Sequence, residues 1–223
     1  MSNEIGGVVN GPALQAGTIT GDVHVHPGPG SSQAPPAHRG TYFTLGWILG
    51  DQLPLMPGHA HEHLTWSTLV EALPAVGFTQ PEVATVLATK QLLSRDRSES
   101  PGRADRDADL EAYAGALDHL QRQVERRADH DHHVWFMLGK LTGEIRMTRT
   151  LEVRGYTEST GRFSGAVRDA HATLASLVAA VELPPTARVA LDAFLAAVEK
   201  GVGLKDLYNR ADAVERACTV GSR

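Results

Sequence analysis

Two short clusters of metal-capable side chains lie in this chain: His59-Ala60-His61-Glu62-His63 and Asp129-His130-Asp131-His132-His133. Imidazole and carboxylate suit zinc or iron. The candidate ligands are His59, His61 and His63 in the first cluster, and His130, Asp131 and His133 in the second. Their spacing works against them. Residues i and i+2 of a helix do not share a face, so His59, His61 and His63 converge on one ion only if a loop carries them. Neither a Glu-x-x-His pair nor a His-Glu-x-x-His motif occurs. The plainer reading is two solvated polar turns, and no metal or other cofactor is expected. A phosphate loop, a nucleotide fingerprint and a nucleophile elbow are all missing, and no Ser, His and Asp have triad spacing.

Composition narrows the classes further. The 223 residues carry 21 basic and 26 acidic side chains, a net charge of −5, which argues against a nucleic-acid partner held by phosphate neutralisation. The single cysteine, Cys218, excludes an internal disulfide and any cysteine-rich zinc site, and fits a reducing cytoplasm. Met1-Ser2-Asn3-Glu4 has no basic start and no long apolar run after it, so no secretory leader is expected. No stretch reaches the roughly eighteen apolar residues of a spanning helix.

From residue 41 onward the periodicity is helical. Trp66, Leu69, Val70 and Leu73 share a face, and Pro74 and Gly77 end that run. Thr79-Gln80-Pro81-Glu82 reads as a capping box opening a helix to about Leu93. A four-three spacing then runs through Leu110, Tyr113, Leu117, Leu120, Val124, Arg127, Asp131, Val134, Leu138, Leu141, Ile145 and Thr148. Such a heptad predicts a helix pressed along a partner seam. Unbroken, residues 107–152 would span roughly 70 Å; a bend or break is expected near residues 129–133 or at Gly139 and Gly143. Arg127 and Asp131, four apart on the seam, have the spacing of an ion pair; a solvated break where the long helix leaves its partner or bends is the plainer reading. Residues 160–182 repeat the pattern, Pro184-Pro185 ends it, and helices over 186–200 and 204–218 follow. The fold class is therefore all-α: a bundle of about five to seven helices with long heptad-patterned members.

What precedes the bundle has another character. Residues 7–26 form two ten-residue units with glycine at the first and fifth positions, Gly7 and Gly11, then Gly17 and Gly21. Short β-prone runs lie between them, and Asp22 is the one residue of the stretch that is Asp, Glu, Lys or Arg. A lone hairpin of this size is marginal in water, whereas copies from many chains stack by pairing each backbone with the next. The segment is expected to be largely disordered until it assembles. Residues 27–40 read as a Pro/Gly linker.

The stretch Gly-Val-Val-Asn-Gly-Pro-Ala-Leu-Gln-Ala-Gly-Thr-Ile-Thr-Gly-Asp-Val-His-Val-His resembles the bacterial amyloid signalling sequences of RHIM-like type. Leu14-Gln15-Ala16-Gly17 matches the hydrophobic–Gln–hydrophobic–Gly centre of that motif. The resemblance covers residues 5–26. Pro12 departs from a regular ladder, since it cannot donate to one, and must sit at a turn or bulge. In the family, the motif templates assembly between a sensor, often an NLR-type ATPase, and an effector, some effectors being helical domains suspected of attacking membranes. The resemblance thus implies homotypic self-assembly, an NLR-type sensor as partner, and Val9, Leu14, Gln15, Gly17, Ile19 and Val23 as the assembling residues.

The organisation expected is an amyloid-type motif over 1–26, a linker over 27–40 and a helical effector or adaptor domain over 41–223. It is non-enzymatic and cytoplasmic, with membrane association after activation as a further step. That step points to the most apolar stretch behind the linker, where Phe43, Leu45, Trp47, Ile48 and Leu49 are the candidate lipid contacts; a short helix covering the bundle is the plainer reading of it. Two alternatives stay open: a scaffold that binds partner helices without amyloid assembly, and a metal-dependent enzyme using the His/Asp clusters.

Overall fold

A computed structural model of the chain describes residues 36–56, 59–94, 103–155 and 165–219. Residues 1–35, and with them the assembly motif, lie outside these. Among the described residues there are eight α-helices and no strand, so the body is all-α. No helix among them is long and apolar enough to cross a membrane. The helices are α1 (Pro36–Gly50), α2 (Glu62–Ala72), α3 (Gln80–Ser94), α4 (Arg103–Arg127), α5 (His130–Val153), α6 (Gly165–Ala180), α7 (Pro185–Lys200) and α8 (Leu204–Thr219). Eight exceeds the expected five to seven for two reasons. The segment 107–152 is two helices, and the apolar stretch at 41–50 belongs to a helix of its own. That helix starts inside the expected linker, at Pro36, because proline at a helix's opening position lacks only a donor the helix does not use.

α1 is the centre of the body. Its broadest contact is with α5, and it also touches α8, α2 and α4. Phe43 and Leu45 are fully buried, and Trp47, Ile48 and Leu49 nearly so. The residues expected to meet lipid are thus core residues in the folded body, with the polar Arg39, Thr41 and Thr44 taking the partly exposed positions of α1.

Glycine sets the α1–α5 contact. Gly46 and Gly50 on α1 face Gly139 and Gly143 on α5. A Cβ at Gly46 would fall on the Phe136 carbonyl oxygen, one at Gly50 on that of Lys140, one at Gly139 on that of Phe43, and one at Gly143 on that of Trp47. Small residues four apart on both partners let two helix backbones touch directly. Gly139 and Gly143 were expected as bending points. α5 runs unbroken through both.

The break falls earlier, at Ala128 and Asp129. Asp129 is extended and its carboxylate accepts the His132 backbone N–H at 2.9 Å, capping α5. This break, the plainer of the two readings of these residues, separates Arg127 from Asp131, and the two do not pair. Arg127 instead pairs with Glu82 on α3, its guanidinium 4.0 Å from the centre of the Phe78 ring. Asp131 is held in bidentate fashion by Arg39 on α1, at 2.7 and 2.9 Å. Tyr42 of α1 stacks on His132 and donates to the Arg127 carbonyl, tying α1 across the break.

Local signals are realised where they are self-contained. Glu82 accepts from the Thr79 backbone N–H at 2.8 Å and from its hydroxyl at 2.9 Å, bonds that hold its carboxyl below the usual range. Tyr113, Leu117, Leu120 and Val124 of α4 and Leu138, Leu141 and Ile145 of α5 are buried, while Arg127, Asp131, Val134 and Thr148 are half-buried. α7 buries Leu191, Phe194, Leu195 and Val198. It ends at Gly201, whose positive φ of 65° is a left-handed cap that glycine adopts without strain.

Candidate functional site

The close α1–α5 crossing delivers a charge pair with a buried carboxylate. Directly after Gly50, Asp51 still donates its backbone N–H to the Trp47 carbonyl at 2.8 Å, so it extends α1 by one position. Three residues beyond Gly143, α5 presents Arg146. The crossing brings these two together, Arg146 Nη1 lying 3.0 Å from Asp51 Oδ2, with the Asp51 side chain 3% exposed. The Arg146 guanidinium also lies 5.5 Å from the Trp47 ring centre and 4.6 Å from that of Tyr208 on α8. Such faces attract a cation, the more so when water is excluded. The Tyr208 hydroxyl is fixed in turn by Thr150, 2.6 Å away on α5.

Around this pair opens a cleft of about 310 Å³. α1 contributes Thr44, Trp47, Ile48 and Asp51, and α2 contributes Leu64, Thr65 and Thr68. Arg146 comes from α5, Asp212 and Glu215 come from α8, and Pro54, His59 and His61 come from the segment between α1 and α2. His61 donates its backbone N–H to His59 Nδ1 at 3.3 Å.

Burial dominates the electrostatics. It pushes the Asp51 carboxyl up to about 6, and the neighbouring Arg146 only partly offsets this. Burial, and then the nearby Asp212 carboxylate, raise Glu215. Burial lowers His59, with His61, Arg154 and Arg146 adding to the effect, which favours its neutral form. A carboxyl whose folded pKa exceeds the unfolded value favours the fold most when protonated, and that contribution is lost as pH rises through the folded pKa. We therefore expect Asp51→Asn to remove a pH-dependent loss. From about pH 4 to about pH 7, the stability of D51N should gain on that of the unsubstituted chain by on the order of 2–3 kcal/mol. Parallel urea melts across that range check it; curves that keep a constant offset would contradict it.

The other sequence candidates fare differently. His59 and His61 line the cleft, whereas His63 is exposed and does not line it. His130 and His133 are exposed at the start of α5, and Asp131 is engaged by Arg39. Among the described residues no three His, Cys, Asp or Glu side chains cluster in a way that would hold a metal ion. Phe43, Leu45, Trp47, Ile48 and Leu49 are in the core. Val9, Leu14, Gln15, Gly17, Ile19 and Val23 lie outside the described residues. Burial pushes the Cys218 thiol up to about 12, keeping it protonated and a poor nucleophile.

Sequence reasoning missed Asp51, Arg146, Asp212 and Glu215. The available signal was a charge set directly against an apolar, glycine-bearing run: Asp51 after Gly50, and Arg146 after Gly143 and Ile145. A second, apolar groove of about 560 Å³ runs between α7 and α8, lined by residues including Pro185, Val189, Ala193 and Ala217; its one ionisable side chain is Arg210. Compared with known protein families, with curated proteins and with solved structures, the chain gives no match in any of the three.

Proposed function

We propose that this chain is an adaptor or effector of bacterial signalling, recruited by amyloid-like homotypic assembly of residues 5–26 and carrying an all-α body behind that motif. The observation that carries the reading is the glycine-punctuated, almost uncharged segment centred on Leu14-Gln15-Ala16-Gly17. The partner is a sensor, of NLR-type ATPase architecture, bearing a matching motif. Recruitment works by proximity: stacked motifs raise the effective concentration of the bodies attached to them. The body carried behind the motif is all-α among the described residues. It also bears on the membrane step. Phe43, Leu45, Trp47, Ile48 and Leu49 are buried in the folded body, so a membrane step through them requires α1 to leave α5 at the cost of the glycine contact.

Gln15→Asp and Leu14→Asp in the full chain test the recruitment. Stacking identical chains in register places like charges directly above one another. Both variants should lose fibre formation by thioflavin-T fluorescence and sedimentation while keeping the helical circular dichroism of the body. Unseeded fibres forming as readily in both variants as in the parent chain would refute the proposal. Liposome leakage by clustered chains would instead favour release of α1.

A further inference from the structure

The cleft at the α1–α5–α8 junction has a one-sided hydrogen-bonding character. The Thr65 hydroxyl donates to the His61 carbonyl at 3.0 Å, and that of Thr68 to the Leu64 carbonyl at 2.9 Å. With their protons committed to the backbone, these two oxygens can only accept from a visitor. Asp212 and Glu215, three apart on α8, share a face, and neither forms an ion pair within 4.0 Å among the described residues. Asp51, 3% exposed and lining the cleft, has Oδ1 without a hydrogen-bond partner. A buried acceptor left unmade costs about 1–3 kcal/mol, so its persistence calls for an explanation. Arg146, the one guanidinium in the lining, is already committed to Asp51 and to two aromatic rings. Its Nε, the two imidazoles, the Thr44 hydroxyl and the Trp47 indole N–H are the remaining donor groups in the lining. Imidazoles aside, the lining holds three acidic side chains against one guanidinium.

From this we infer that the cleft is a binding site for a small organic cation, an alkylammonium or polyamine-type molecule, with Asp212, Glu215 and Asp51 as its counter-charges and Thr65 and Thr68 as further acceptors. A bare metal ion does not fit, because no three of these acidic and imidazole groups come together around one point. A cleft of about 310 Å³ instead matches the small end of organic-ligand pockets. Within it, Ile48, Leu64 and Pro54 offer apolar surface to methylene groups.

The test is titration of the full-length chain with putrescine, spermidine and magnesium at matched ionic strength, followed by calorimetry. Saturable one-to-one binding of an amine is expected, absent with magnesium. The double variant Asp212→Asn/Glu215→Gln should weaken it about tenfold or more. Asp206→Asn, an exposed carboxylate on the first turn of the same helix, should leave it unchanged. Two results would overturn the inference: no saturation by any amine, or an equal loss in D206N, which would mark diffuse attraction to an acidic surface. Should the double variant melt early, backbone amide shifts at Thr65 and Thr68 during putrescine titration of the unsubstituted chain decide instead. Their movement supports the site, and their silence removes it.

Discussion

Replacing Gly139 with alanine, the best helix former, should be among the most damaging single changes in the body. In an ordinary helix interior this substitution stabilises by about 1 kcal/mol, since glycine loses more backbone freedom on folding. Gly115, exposed on α4 with nothing within 4 Å of a built Cβ, should behave in that way and gain roughly 0.5–1 kcal/mol as alanine. At Gly139 the new methyl meets the Phe43 carbonyl and the Trp47 backbone N–H of α1. These are backbone atoms of a helix enclosed by α2, α4, α5 and α8, so no side chain can swing aside to relieve the overlap. Overpacking costs typically about 1–3 kcal/mol where side chains can adjust. Here a loss of about 3 kcal/mol or more is expected, which for a domain of this size lowers the melting temperature by on the order of 10 °C. Thermal melts of G139A and G115A side by side give opposite signs if the crossing is as described. A neutral G139A would mean that the two helices stand apart.

Arg146→Met should cost nearly as much, for an electrostatic reason. The substitution keeps a long apolar stem but removes the partner of Asp51. Breaking one side of a buried pair typically costs about 3–5 kcal/mol, because the remaining charge has neither water nor counter-ion. Without Arg146 the Asp51 carboxyl moves further above its present value of about 6, since the guanidinium is the nearby charge that holds it down. A raised acid contributes its stability when protonated and loses it with rising pH. The deficit of R146M should therefore be small near pH 5 and approach its full size near pH 8. Adding Asp51→Asn to R146M should recover most of it at about pH 8, a positive coupling in a double-mutant cycle. Equal deficits at the two pH values, or no recovery in the double variant, would show that Arg146 stabilises by packing on Trp47 and Tyr208 alone.

Both residues show what could and could not be read from the chain. The Thr79–Glu82 cap and the buried stripe of α7 follow from neighbours within one turn or one helix, so periodicity and capping chemistry suffice to find them. The end of α4 was different. Arg127 and Asp131 have ideal spacing for a pair, but that geometry exists only in a continuous helix, and Asp129 prefers to cap a new one. The same holds for Gly139 and Gly143. Read along one helix they are weak points, and their role appears only when Gly46 and Gly50 are placed opposite. The apolar stretch from Tyr42 to Leu49 suggests either a membrane or a core, and hydropathy alone does not choose between them. The cleft was the least legible of all, since its charges come from α1, α5 and α8 and each alone resembles an ordinary surface residue.

The distance along the chain between α1 and its partners bears on how the protein is made. Arg39 and Asp131 are bonded across 92 positions, and α8 arrives later still. At a translation speed of about 5–20 residues per second, α1 leaves the ribosome seconds before α5 exists to cover it. During that interval an apolar, half-made helix stands without the partners that later bury it. Shielding of nascent apolar segments should therefore matter most to this protein between the emergence of α1 and that of α5.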